Sequence, residues 1–190
     1  AQQDPANIRS LMTLSVPHGV TLPRILFRWP KYLLNAWYIS FFQLKGLADR
    51  VLRRHNFAFI EKLVDSWSPN LTLATNLKKR RAMLNSVKTT FGQPGVIAAA
   101  LSYYRNTAFA PTKGGFAFRR AAKQPVPVNT LAIRSDGDGC MPEEIWSVMS
   151  AAQFPAGLTL ERVERCGHFI QHEKSEWLAE RMLKWLSEAS

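Results

Sequence analysis

Residues 130–139 read T-L-A-I-R-S-D-G-D-G, and residues 158–168 read L-T-L-E-R-V-E-R-C-G-H. Each begins as a short apolar, partly β-branched run and ends in a polar, glycine-containing turn, the pattern of a strand followed by a loop. The strands are expected at 130–134 and 158–163, with 135–139 as the first polar turn. Residues 142–154 between them have helical texture. Residues 173–189 form an amphipathic final helix, with Trp177, Leu178, Met182, Leu183, Trp185 and Leu186 expected inward. Alternation of strand and helix predicts an α/β protein with parallel strands flanked by helices.

Upstream, residues 8–16 (I-R-S-L-M-T-L-S-V) read as another buried strand, stopped by Pro17, His18 and Gly19. From residue 23 to about 106 the periodicity is helical, with four or five helices and no strand expected. Segments 32–44, 56–66, 71–90 and 94–106 are the candidates. Residues 108–128 carry Pro111, Gly114, Gly115, Pro125 and Pro127 and read as a connector. The order is therefore strand, a helical insert of roughly 100 residues, then strand, helix, strand, helix. Three strands are few for a parallel sheet that must cover both faces, so the sequence reads like part of a larger sheet.

Composition narrows the classes. The chain has 190 residues, 46% hydrophobic and 21% charged, which excludes a disordered tail or fibrous repeat. Two cysteines cannot build a disulfide framework. No apolar run approaches the roughly 20 residues of a membrane span, and residues 1–5 (A-Q-Q-D-P) lack the features of a signal peptide. A soluble, cytoplasmic protein is the expectation. The net charge of +11 is uneven: residues 1–110 carry 15 Lys and Arg against 4 Asp and Glu, and residues 111–190 carry 10 of each. The tetrad Lys78, Lys79, Arg80, Arg81 is the densest basic run. It could mark a polyanion-binding module, but a charge run is more often a solvated face, and no nucleic-acid-binding motif accompanies it.

Two residues stand where an open α/β sheet binds ligands, beyond the carboxyl ends of its strands. Asp138 follows the second strand and His168 the third. A carboxylate there can hold an imidazole in one tautomer and leave its other nitrogen as a base. The bland readings also stand: Asp after a strand is often a turn residue, and Gly-His a turn or a satisfied buried histidine. A calcium loop starting at Asp136 fails, because Cys140 and Ser147 occupy ligand positions. Tyr38 and Tyr104 lie in the helical insert. A tyrosine on an apolar helix face is usually core with its hydroxyl at an edge, but a pair facing one cavity could stabilise a developing oxyanion.

Taken in order, these segments resemble the α/β-hydrolase superfamily, in its epoxide-hydrolase-like branch with a helical cap. R-S-L-M-T-L-S-V-P-H-G resembles the strand that enters the cap. W-Y-I-S-F-F-Q-L-K-G-L-A-D and Q-P-G-V-I-A-A-A-L-S-Y-Y-R-N resemble the two cap tyrosine motifs, with Tyr38 and, rather than Tyr103, Tyr104 as the tyrosines. D-G-D-G-C-M-P-E-E resembles the acid loop, with Asp138 as the acid. C-G-H-F-I-Q-H-E-K-S-E resembles the histidine motif, with His168 as the base.

The resemblance implies the C-terminal part of an α/β-hydrolase fold: residues 1–19 as the core strand entering the cap, 20–122 as the cap, and 123–190 as the closing βαβα unit. It implies hydrolysis of an epoxide to a vicinal diol through a covalent ester, with a small apolar epoxide-like substrate and no metal or organic cofactor. A carboxylesterase or a haloalkane dehalogenase-like hydrolase is the alternative. No G-x-D-x-G or G-x-S-x-G elbow occurs in these 190 residues. The nucleophile is therefore expected in an N-terminal half, supplied in cis or in trans, and this chain alone is expected to be inactive. Neither a nucleic acid nor a membrane is expected as partner; a homo-oligomer is left open. Cys140 and Cys166 lie near the two turns. Free thiols are the default for them, and a bridge would need α-carbons roughly 4.4–6.8 Å apart.

Overall fold

The computed structural model describes residues 1–19, 21–106, 112–141 and 143–188. Three parallel strands form one sheet: β1 (Ser10–Leu14), β2 (Asn129–Ser135) and β3 (Leu158–Val163), in that spatial order. Met12 pairs with Leu131 and Leu14 with Ile133 on one side of β2; Leu131 pairs with Thr159 and Ile133 with Glu161 on the other.

The central position of β2 explains its composition. Its residues 130–133 are buried, because a parallel strand between two neighbours is covered on both faces. Alternate side chains go to opposite faces. Leu131 and Ile133 pack with Val163, Ile170, Leu178 and Trp185, while Ala132 packs with Ile25, Ile145 and Trp146. The flanking β1 and β3 are only partly covered, and the burial expected for residues 8–16 is not reached.

Five helices separate β1 from β2 as far as Arg105: α1 (Thr21–Arg28), α2 (Trp37–Phe42), α3 (Leu47–Trp67), α4 (Leu77–Gly92) and α5 (Val96–Arg105). The last four build a core of their own, with Tyr38, Phe42, Leu52, Val64, Leu84 and Leu101 among its buried members. The α3 helix is broken at Arg54–Phe57, where His55, Asn56 and Phe57 take left-handed φ values. Its polar face is tied to its neighbours by ion pairs. Arg80 grips Asp65 with two hydrogen bonds of 2.6 and 2.7 Å, Lys88 pairs with Glu61, and Arg105 with Asp49 at 2.7 Å.

Three expectations are corrected. The connector at 108–128 contains a helix, α6 (Lys113–Ala122), started by Thr112, whose Oγ1 accepts the Gly115 amide at 3.0 Å; residues 108–111 lie outside the described residues. The single helix expected over 142–154 is instead the short α7 (Glu144–Ser147) and a 3-10 turn at Ala151–Gln153. The chain re-caps there, with Ser150 N–H donating to Gln153 Oε1 at 2.9 Å; Pro142 lies outside the described residues. The final segment is α8 (Ile170–Glu173) followed by α9 (Ser175–Glu188), and Ala189 lies outside the description. Of its six expected inward residues, Leu178 and Trp185 are buried and Trp177 is half-buried. Met182, Leu183 and Leu186 are exposed, Leu183 by 69%. Among the described residues, no helix is long and apolar enough to cross a membrane.

Candidate active site

The turns after β2 and β3 meet. Asp136 N–H donates to Val163 O at 3.1 Å, Gly137 N–H to Cys166 O at 2.9 Å, and Ser135 Oγ to Gly167 O at 2.7 Å. Parallel pairing of β2 with β3 delivers both turns to one rim of the sheet. Across that junction His168 Nδ1 lies 2.9 Å from Oδ2 and 3.1 Å from Oδ1 of Asp138. The carboxylate is almost fully buried, its side chain 2% exposed, while the imidazole is 17% exposed.

The local backbone makes this pairing specific. Asp138 Oδ1 accepts the amides of Cys140 and Met141 at 2.8 and 2.9 Å, so the carboxylate is fixed within its own turn. A carboxylate only accepts, so a hydrogen bond between the pair runs from Nδ1–H, the tautomer that leaves Nε2 of a neutral imidazole as the accepting nitrogen. His168 is held from three further sides. Its amide donates to Trp67 O at 3.0 Å, its carbonyl accepts from Ser15 Oγ at 3.0 Å, and its ring meets those of Trp67 and Phe169 edge-on at 5.3 and 5.2 Å. Glu173, buried, receives the Gly167 amide on both carboxylate oxygens at 3.0 Å.

The two tyrosines touch. Their ring centroids are 5.8 Å apart and nearly perpendicular, and Phe42 and Trp67 complete the aromatic cluster around Tyr38. Their environments differ. Tyr104 lines an apolar cavity of about 210 Å3 among the insert helices, together with Phe42, Leu101, Trp67 and Phe169. Tyr38 lines a smaller hollow of about 40 Å3 with Ile25, Cys140 and Met141. Burial raises the Tyr38 phenol well above its ordinary range, with Cys140, Tyr104 and Asp138 adding to the rise. Burial, with Cys140 and Tyr103 close by, pushes Tyr104 up to about 12. Both therefore keep their protons at neutral pH.

Sequence reasoning missed Ser15, Trp67 and Glu173. Trp67 acts here through its main-chain carbonyl and its ring; in the sequence Glu173 stands only as the first residue of the last helix. Cys140 and Cys166 are free and buried, and belong to different apolar clusters. Within the basic tetrad, Arg80 is bound to Asp65 and Glu61, and Lys79 donates to Glu173 O at 2.9 Å. Among the described residues, no three His, Cys, Asp or Glu side chains gather as a metal-binding group.

Comparison with known proteins agrees with this architecture. No family model matches the chain. The AB hydrolase superfamily protein YfhM of Bacillus subtilis is 25% identical over 191 residues, covering 98% of this chain and 60% of that protein. An epoxide hydrolase of Bacillus megaterium, solved with an inhibitor, superposes with a TM-score of 0.70 at 21% identity, over 98% of this chain and 63% of the other. Cfl2 of Burkholderia cenocepacia superposes with a TM-score of 0.71 at 19% identity, over 97% and 59%. The chain thus spans about 60% of the length of these relatives. Its fold is that of the α/β-hydrolase superfamily, in the C-terminal part: parallel strands, flanking helices and an inserted helical segment.

Proposed function

We propose that this chain supplies the acid, the base and the lid of an α/β-hydrolase that opens epoxides to vicinal diols. The observation that carries the reading is the Asp138–His168 pair at the strand rim, adjoined by a helical insert that presents two protonated phenols. In this reading residues 20–122 are the lid and 123–190 the closing unit of the core. Likeness to the Bacillus megaterium epoxide hydrolase supports the substrate class. So does the apolar cavity beside Tyr104, which suits a hydrophobic substituent.

A carboxylate contributed by residues outside these 190 attacks one epoxide carbon, forming a carbon–oxygen ester bond and breaking the ring C–O bond. Tyr38 and Tyr104 hydrogen-bond the ring oxygen as it gains charge, and one of them supplies the proton that makes it a hydroxyl. His168 Nε2 then takes a proton from water as the hydroxide attacks the ester carbonyl. Asp138 stabilises the imidazolium; the acyl C–O bond of the ester then breaks, the departing alkoxide takes the proton left on the attacking oxygen and becomes the second hydroxyl, and the carboxylate is regenerated. The proton on His168 returns to the phenolate.

The test is diol formation from styrene oxide. The chain joined to a nucleophile-bearing N-terminal half, in cis or in trans, is expected to turn the epoxide over, and the chain alone to stay at background. Diol formation by the chain alone, or none by the joined protein with its fold intact, would overturn the proposal.

A further inference from the structure

The turn that carries Asp138 also carries Cys140, and Cys140 packs into the apolar cluster of the insert helices. It is 5% exposed, and its Sγ lies 3.5 Å from the Tyr38 hydroxyl. Its backbone is fixed, because its amide is held by Asp138 Oδ1 and the preceding Gly139 amide donates to Trp67 O at 3.1 Å. Packing against Phe42, Trp67 and Tyr104 holds the Tyr38 ring in place. Ring packing does not set the direction of the O–H bond; a polar partner at the tip does.

Burial pushes the Cys140 thiol up to about 12, and burial also raises Tyr38, so both groups keep their hydrogens at neutral pH. A thiol is both a weak donor and a weak acceptor, and the 3.5 Å contact admits a hydrogen bond in either direction. With the thiol as donor, the phenolic hydrogen remains free for a different acceptor. A thiol is also a weak enough partner not to hold that hydrogen back.

We propose that Cys140 is a positioning residue: its thiol donates to the Tyr38 oxygen and aims the phenolic O–H at the epoxide oxygen. One turn then orients both halves of the chemistry, His168 through Asp138 and Tyr38 through Cys140. The inference rests on Tyr38 being a proton donor in ring opening.

The experiment uses the chain joined to its nucleophile-bearing half, with variants C140A, C140S, Y38F and C140A/Y38F. C140A is expected to lower kcat about tenfold with KM within about twofold, and C140S to recover to within about threefold of the parent. In the Y38F background C140A is expected to add nothing, because the contact it removes is already gone. An equal loss in both backgrounds, or no loss in either, would overturn the proposal. The infrared S–H stretch of Cys140 gives a reading independent of turnover, and is expected to move to higher frequency in Y38F as the acceptor disappears. An unmoved band alongside an impaired Y38F overturns the Cys140 assignment alone. A fully active Y38F overturns the role of Tyr38 in epoxide opening, and with it the purpose of the contact.

Discussion

The main-chain carbonyl of Trp67 accepts the amide of His168 at 3.0 Å, and the same oxygen accepts the amide of Gly139 at 3.1 Å. One oxygen at the end of α3 is thus clamped by the acid turn and the histidine turn together. Ser68 extends the seam, its Oγ accepting the Phe169 amide at 3.0 Å. The helical insert is therefore registered against the Asp138–His168 pair by backbone hydrogen bonds, and the close approach they require explains the glycines of both turns. A β-carbon on Gly139 would stand 2.0 Å from Ser66 O, and one on Gly167 would stand 2.4 Å from Ser68 Cα.

Gly139→Ala is accordingly expected to cost about 3 kcal/mol of stability, since the obstacle is backbone that cannot rotate away. Gly92→Ala is the control, at the end of α4 with nothing within 4 Å of its new carbon; it is expected to be neutral or to gain up to ~1 kcal/mol. Urea midpoints of the two variants check this. A Gly139→Ala protein as stable as the parent would mean that the seam is looser than described.

Asp138→Asn keeps the shape of the carboxylate but not its charge. It still can accept amides in its own turn, yet it no longer stabilises the imidazolium. In the joined enzyme, diol formation is expected to fall by roughly 10²–10⁴, the range that proton-transfer catalysis contributes, with the far-UV spectrum unchanged. Full activity in this variant would remove Asp138 from the mechanism.

His18 gives a pH dependence that has nothing to do with catalysis. It is buried against Phe154, its Nε2 lies 3.2 Å from Gln124 O, and burial lowers its pKa below the ordinary 6.5. Its folded form therefore resists protonation more than its unfolded form does. The stability it contributes is complete above about pH 6.5 and is lost as pH falls through the lower folded value. Asp49, held low by a hydrogen bond from Arg105, acts in a separate window below its ordinary 3.8. Urea midpoints measured from about pH 7.5 to 5.5 are expected to fall less in His18→Gln than in the parent. Equal falls would show that His18 is not the group responsible.

Much of this was legible in the sequence, for reasons that are local. The β2 strand announces itself because a central parallel strand needs an unbroken apolar run, and the polar turns after β2 and β3 put Asp138 and His168 at one rim of the sheet. The α6 helix was hidden by Gly114 and Gly115 in its first turn, two poor helix formers that outweighed the Thr112 cap. The run at 142–154 carries helical periodicity, but Ser150 and Gln153 hydrogen-bond each other and restart the chain. Leu183 and Leu186 obey the amphipathic pattern and still face outward. The carbonyl of Trp67 and the thiol of Cys140 meet partners distant in sequence, His168 and Tyr38, and the buried carboxylate of Glu173 meets a backbone amide, that of Gly167; no spacing rule reports those.

Whether His168 activates the water is decided by the intact mass of the joined enzyme carrying His168→Gln after mixing with styrene oxide. With ring opening preserved and the water-activating base removed, protein heavier by one epoxide is expected to accumulate while diol does not. Undiminished diol release with no mass increase would contradict that role.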